Sequence, residues 1–250
     1  MIFTPMYNQA SSFISGAYTV ALNQFDGNDG DPISSTDDVG MDWRIAAGSP
    51  VLTVTGPESG TASLTKGTAD LATVTTDDPG SGSTYRSDLD ISGGKDFCIE
   101  CFINLANINA TSSFINFKLE NNAGEGLRVF NTITTLGTSK LSLFWATNSG
   151  NNANPTVDPD IAGGTWGHVA FCRDGSNIKY YFNGVLRDTL PITFEPDVLN
   201  KKYMLSITMP GQFDALTGIK IDSLRVVVGQ PVYTSNFTPP TGPLTRFVSI

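Results

Sequence analysis

Trp166-Gly-His-Val-Ala-Phe-Cys-Arg-Asp174-Gly175-Ser-Asn-Ile-Lys-Tyr-Tyr-Phe182-Asn183-Gly184-Val-Leu-Arg187 places two turn signals between runs of strand-forming residues. Asn-Gly is the stronger signal. A type I′ hairpin turn needs positive φ at both central residues, and Asn and Gly tolerate it best. Asp174-Gly175 just before it marks a second hairpin. The stretch 166–193 therefore predicts three consecutive antiparallel strands, at 166–173, 177–183 and 185–193.

Outward from this meander the same grammar continues. Short runs rich in Val, Ile, Phe, Tyr and Thr are separated by Gly, Asn, Asp and Pro clusters, the pattern of a β-sandwich or barrel. Further strands are predicted at 18–25, 42–46, 50–55, 61–65, 69–75, 97–105, 114–120, 126–133, 140–147, 202–209 and 219–228. About fourteen strands suit two stacked sheets. No fixed-period repeat and no long amphipathic helix interrupts them. Thr147-Asn-Ser-Gly-Asn-Asn-Ala-Asn-Pro155 reads as an exposed polar loop.

Composition agrees. The 250 residues carry 68 Thr, Ser and Asn against 15 Lys and Arg and 24 Asp and Glu, with 15 Phe, 7 Tyr and 3 Trp for bulk. Hydroxyl and amide residues favour strands, turns and caps over helix interiors. A formal charge of −9 argues against nucleic acid and against acidic membrane surfaces, whose ligands present basic faces. No apolar run approaches the roughly 20 residues needed to cross a bilayer. The first residues lack a basic segment and an apolar stretch, so no secretory signal is read and folding in the cytosol is expected.

The cysteines fit that expectation. Cys98 and Cys101 lie within Phe97-Cys-Ile-Glu-Cys-Phe-Ile103, where residues three apart on a strand face opposite ways and cannot bridge. With Cys172 they read as free, buried thiols. Residues 1–16 lack strand alternation and read as an arm. Its apolar members Ile2, Phe3, Met6, Tyr7, Phe13 and Ile14 suit docking on a partner or packing on the same domain. Thr238-Pro-Pro-Thr-Gly-Pro243 ends strand pairing, because proline cannot donate to a ladder.

Five segments, in order, resemble laminin-G-like members of the concanavalin-A-like jelly rolls, especially versions in bacteriophage virion proteins. They are Leu22-Asn-Gln-Phe-Asp-Gly-Asn-Asp-Gly30, Asp96-Phe-Cys-Ile-Glu-Cys-Phe-Ile103, Thr165 to Gly175 with the following Tyr-Phe-Asn-Gly hairpin, Ile219-Lys-Ile-Asp-Ser-Leu-Arg-Val226, and Tyr233-Thr-Ser-Asn-Phe-Thr-Pro-Pro-Thr241. The resemblance implies an all-β, two-sheet antiparallel jelly-roll sandwich over 17–245, after the 1–16 arm and before a short tail, 246–250. It also implies binding or architecture more often than catalysis.

The enzymes of this fold carry signatures absent here. The laminarinase-like E-x-D-x-E carboxylate ladder does not occur, and Glu100 reads as isolated on its strand face. The Q-x-H strand of alginate-lyase-like jelly rolls is missing. The one histidine, His168, reads as a structural residue beside Trp166, and Asp222 as a cap for backbone N–H groups rather than a partner of Arg225. Trp145 and Trp166 read as core, leaving Trp43 as the one aromatic of uncertain side.

The expected function is a non-enzymatic virion protein on the capsid or tail surface. It would be made in the bacterial host cytoplasm, attached through its arm and a sandwich edge, and assembled as a homotrimer by analogy with other appendages. The alternative is an adhesin that binds host-surface glycans through rim loops, with Asn148, Asn151, Asn152 and Asn154 as ligand candidates. A polysaccharide lyase or glucanase is the remote third. No cofactor is called for, although Asp26, Asn28, Asp29 and Asp31 cluster oxygens in a Gly-rich turn that would suit calcium.

Overall fold

The computed structural model describes residues 18–23, 42–47, 51–53, 63–65, 71–77, 85–105, 116–121, 123–135, 138–147, 149–162, 164–195, 202–210, 219–242 and 244–245. Fifteen strands and no helix occur among them. The meander forms as the turn chemistry dictates. β11 (Trp166–Asp174), β12 (Asn177–Phe182) and β13 (Val185–Pro191) pair in sequence. Asn183 and Gly184 take φ of 49° and 75° between them.

The sheet grows from there. β6 (Phe97–Leu105) pairs with β11, and β15 (Ile219–Val228) lies on the other side of β6. β1 (Tyr18–Asn23) and β4 (Ser63–Thr65) both pair with β15, and β3 (Val51–Thr53) pairs with β4, giving eight strands. The second sheet has seven, in the order β10 (Gly150–Ala162), β9 (Thr138–Thr147), β8 (Gly126–Thr135), β7 (Asn116–Asn121), β14 (Tyr203–Pro210), β5 (Leu71–Asp77) and β2 (Asp42–Ala47). All pairings are antiparallel, and the two sheets stack as a jelly-roll sandwich.

Alternation builds the core. Phe97, Ile99 and Ile103 of β6 and Val169 and Phe171 of β11 meet Leu119, Leu127, Leu143, Trp145 and Leu205 of the other sheet in one buried cluster. The Phe97 and Trp145 rings stack across the sandwich with centroids 6.1 Å apart. Each such side chain contributes about 1.5–3 kcal/mol by leaving water. As expected, Trp145 is core.

One strand departs from the sequence reading. Residues 147–155 are not an open loop, because β9 runs to Thr147 and β10 starts at Gly150. β10 lacks the β-branched alternation of a central strand and contains Pro155 and Pro159. An edge strand tolerates both, since it owes ladder hydrogen bonds on one side only. Its register against β9 slips twice, after Asn154 and after Val157.

From Gly229 the chain leaves β15 and crosses the outer face of the eight-stranded sheet as a strap without strand structure, as its prolines require. Val232, Tyr233 and Phe237 pack there on a second cluster of Cys98, Ala170, Cys172 and Tyr181. The Tyr233 and Phe237 rings stack at 3.5 Å. Phe237 N–H donates to Gly184 O at 2.8 Å, and Asn236 Oδ1 accepts from Leu186 N–H at 2.8 Å. A Cβ at Gly184 would fall 2.0 Å from the Phe237 carbonyl oxygen. Gly184→Ala is therefore expected to lower the melting temperature by several degrees, combining left-handed strain of about 1–2 kcal/mol with displacement of the strap. An unchanged thermal midpoint would show that the strap does not bear on the hairpin.

Candidate functional site

Glu100 is the centre of the strap-covered face. On β6, Phe97, Ile99, Cys101 and Ile103 take the core side, so alternation sends Cys98 and Glu100 to the other. The Glu100 side chain is 1% exposed. Its Oε1 accepts from Arg225 Nε at 2.8 Å and from Arg225 Nη2. Its Oε2 accepts from the Tyr233 hydroxyl at 2.8 Å and lies 3.0 Å from His168 Nε2. Arg225 Nη1 reaches on to the Thr245 carbonyl at 2.7 Å. Burial pushes the Glu100 carboxyl up, but the Arg225 charge, then His168 and Tyr233, overcome it and hold the group at about 2.

This arrangement corrects several expectations. Glu100 is not isolated, because Arg225 pairs with it. Asp222 Oδ1 accepts from Ser223 N–H at 2.7 Å, at the point where β15 slips register against β6 and Ser223 takes φ of 49°. It is a backbone cap, but inside a strand bulge. His168 is structural as expected, though it lies beneath the strap rather than between the sheets. Facing an ionised carboxylate, Nε2 carries the proton, which leaves Nδ1 buried with no hydrogen-bond partner among the described residues. The imidazole is fully covered, so substrate has no path to it as a base.

The cysteine expectation also changes. Cys98 and Cys172 sit directly opposite on β6 and β11 and form a disulfide. Cys101 alone is free, on the core side, with burial pushing its thiol well up. Cys98 and Cys101 do face opposite ways, and the bridge forms instead to a partner across the ladder.

The asparagine candidates are largely engaged. Asn152 donates through Nδ2 to Thr193 Oγ1 at 2.9 Å and accepts Thr193 N–H at 3.0 Å, which ties β10 to the segment after β13. Asn151 Oδ1 accepts Thr147 N–H at 3.3 Å. Asn148, the Asn154 side chain and the Trp43 side chain lie outside the described residues. So do the arm residues Ile2, Phe3, Met6, Tyr7, Phe13 and Ile14, and the calcium candidates Asp26, Asn28, Asp29 and Asp31. Among the described residues no three His, Cys, Asp or Glu side chains group as metal ligands. Trp166 is half-buried rather than core.

The outer face of the seven-stranded sheet carries a different chemistry. Phe144 of β9, Arg128 of β8, Lys118 of β7 and Ser206 of β14 are directly opposite one another in turn, forming one row across four strands. Phe144 is half-buried, and it faces outward because Leu143 and Trp145 take the core side. Arg128 Nε donates to Glu120 Oε2 at 2.7 Å and Nη2 donates to Gly124 O at 2.9 Å. Lys118 Nζ is 3.8 Å from Glu120 Oε1, beyond hydrogen-bond reach. The β7–β8 turn holds this geometry. Asn121 Oδ1 accepts from Ala123 N–H at 2.9 Å and Glu125 N–H at 3.0 Å, while Gly124 at φ 76° brings its carbonyl under Arg128. Sequence reasoning passed over Phe144, yet the alternation Leu141, Leu143, Trp145 already exposed it as an aromatic on a polar face.

The chain belongs to the concanavalin A-like lectin/glucanases superfamily, in its third laminin G family, whose profile matches residues 77–229. No curated protein matches the sequence. Solved structures similar in fold include the binding domain of botulinum neurotoxin serotype D, with a TM-score of 0.59 at 9% identity, covering 86% of this chain and 49% of that one. The binding domain of Paraclostridial Mosquitocidal Protein 1 gives 0.59 at 14% identity, covering 86% and 50%. A botulinum neurotoxin type C structure gives 0.54 at 13%, covering 86% and 49%. The chain thus spans about half the length of these structures.

Proposed function

We propose that this domain is a non-catalytic glycan-recognition module of the adhesin type. The carrying observation is the Phe144 row. An aromatic ring with a guanidinium one strand away and an ammonium one strand further matches what a sugar presents, since its C–H face stacks on the ring and its hydroxyls need fixed polar partners; Ser206, at the far end of the row, is buried. The neighbouring folds support the reading. Two are binding domains, and botulinum neurotoxin type C depends on interaction with two ganglioside molecules to get into cells. Glu100 and His168, the pair that would suggest acid–base chemistry, are committed to each other beneath the strap.

Virion display, the setting suggested by sequence resemblance, is compatible with this activity. The Tyr233–Thr241 motif has a role inside the domain, as cover for the disulfide and Glu100, so it does not speak to location. Capsid or tail genes beside this reading frame would support virion display, and a different neighbourhood would remove it. For recognition itself, Phe144→Ala is expected to weaken glycan binding at least tenfold in calorimetric titration with the best array hit, without lowering the melting point by more than a few degrees. Undiminished binding would sink the Phe144 row as the site.

A further inference from the structure

We infer that the row on the seven-stranded sheet selects carboxylated glycans, an inference that rests on the recognition function proposed above. Lys118 and Arg128 are directly opposite across β7 and β8. Like charges in that position destabilise a sheet. The single carboxylate serving both is Glu120, which Arg128 engages at 2.7 Å and Lys118 only approaches at 3.8 Å. The trio therefore keeps one positive charge in excess, on a chain of formal charge −9.

The two cations divide the work. Arg128 spends Nε and Nη2 on Glu120 and Gly124, so its planar fork is fixed in place. The Lys118 side chain is about one-third exposed, and its ammonium makes no hydrogen bond among the described residues. A part-exposed ammonium beside a fixed guanidinium is suited to an incoming carboxylate, which relieves the opposition of the two cations and forms charge-assisted hydrogen bonds. Phe144, one strand spacing beyond Arg128 at about 5 Å, offers its face to the ring that bears or adjoins the acid. Overall negative charge repels acidic polymers at a distance, so selection rests on this local excess.

An array printed with carboxylated glycans beside the same glycans methyl-esterified tests this directly. The expected result is binding to carboxylated members, at least tenfold weaker after esterification and weakened again by raising salt from low to physiological strength. Lys118→Gln is expected to reproduce the loss while Lys118→Arg retains binding, and circular dichroism melts establish that both variants fold. Equal binding to esterified glycans, or Lys118→Gln binding as wild type, overturns acid selection and leaves glycan recognition standing. Binding to no glycan at all overturns both.

Discussion

Arg225→Ala is expected to destabilise the domain by about 3–5 kcal/mol, because it leaves the Glu100 carboxylate buried without its main counter-charge. The guanidinium is bonded twice to Glu100 and once to the Thr245 carbonyl, so its loss also unfastens the strap. Urea unfolding would read the effect as a lower midpoint at unchanged slope. The double variant Glu100→Gln/Arg225→Met should lose less than the two single changes added together, since residues in direct contact couple. A single-variant cost below 1 kcal/mol would mean that Glu100 is solvated and the strap is open.

The same group sets an acid limit. Its folded pKa, about 2, lies below the ordinary value of 4.5, so the unfolded chain takes up the proton first as pH falls. The stabilisation is complete above 4.5 and is lost as pH drops through the folded value. A separation of that size corresponds to roughly 3 kcal/mol. Melting temperature should therefore fall between pH 4.5 and pH 2, and the fall should be shallower in Glu100→Gln.

The second large effect is expected from Cys98→Ala/Cys172→Ala. The bridge closes a sequence separation of 74 residues, for which chain entropy gives about 4 kcal/mol at 25 °C. Alkylation of the unfolded, unreduced protein should modify one cysteine, Cys101. Modification of all three would remove the disulfide and restore the free-thiol expectation.

Much of the fold was legible because local chemistry and tertiary structure agree. Asn183-Gly184 fixed a hairpin, and alternation in 97–105 and 219–228 fixed two central strands. β10 was not legible, because an edge strand needs neither apolar alternation nor donors on both sides. The Glu100 cluster was hidden for another reason. The strap that buries it has no periodicity, so nothing in residues 229–245 announces which face they cover. Cys98–Cys172 needed the register of β6 against β11, which alternation leaves undetermined to within whole two-residue steps. Phe144 was legible from the alternation of Leu141, Leu143 and Trp145, which leaves it on the outward side of its strand.

β15 occupies the middle of its sheet, with β6 on one side and β1 and β4 on the other. Glu100 and its partner Arg225 are 125 residues apart in the chain. During synthesis β6 emerges long before the strand that will complete it, and an unpaired strand edge is a template for mispairing. The nascent sheet must therefore wait, half-built, for a late insertion that joins its two halves, and the strap follows directly behind to close the face. Completion of this sheet thus depends on contacts between distant parts of the chain, which fold more slowly than local ones.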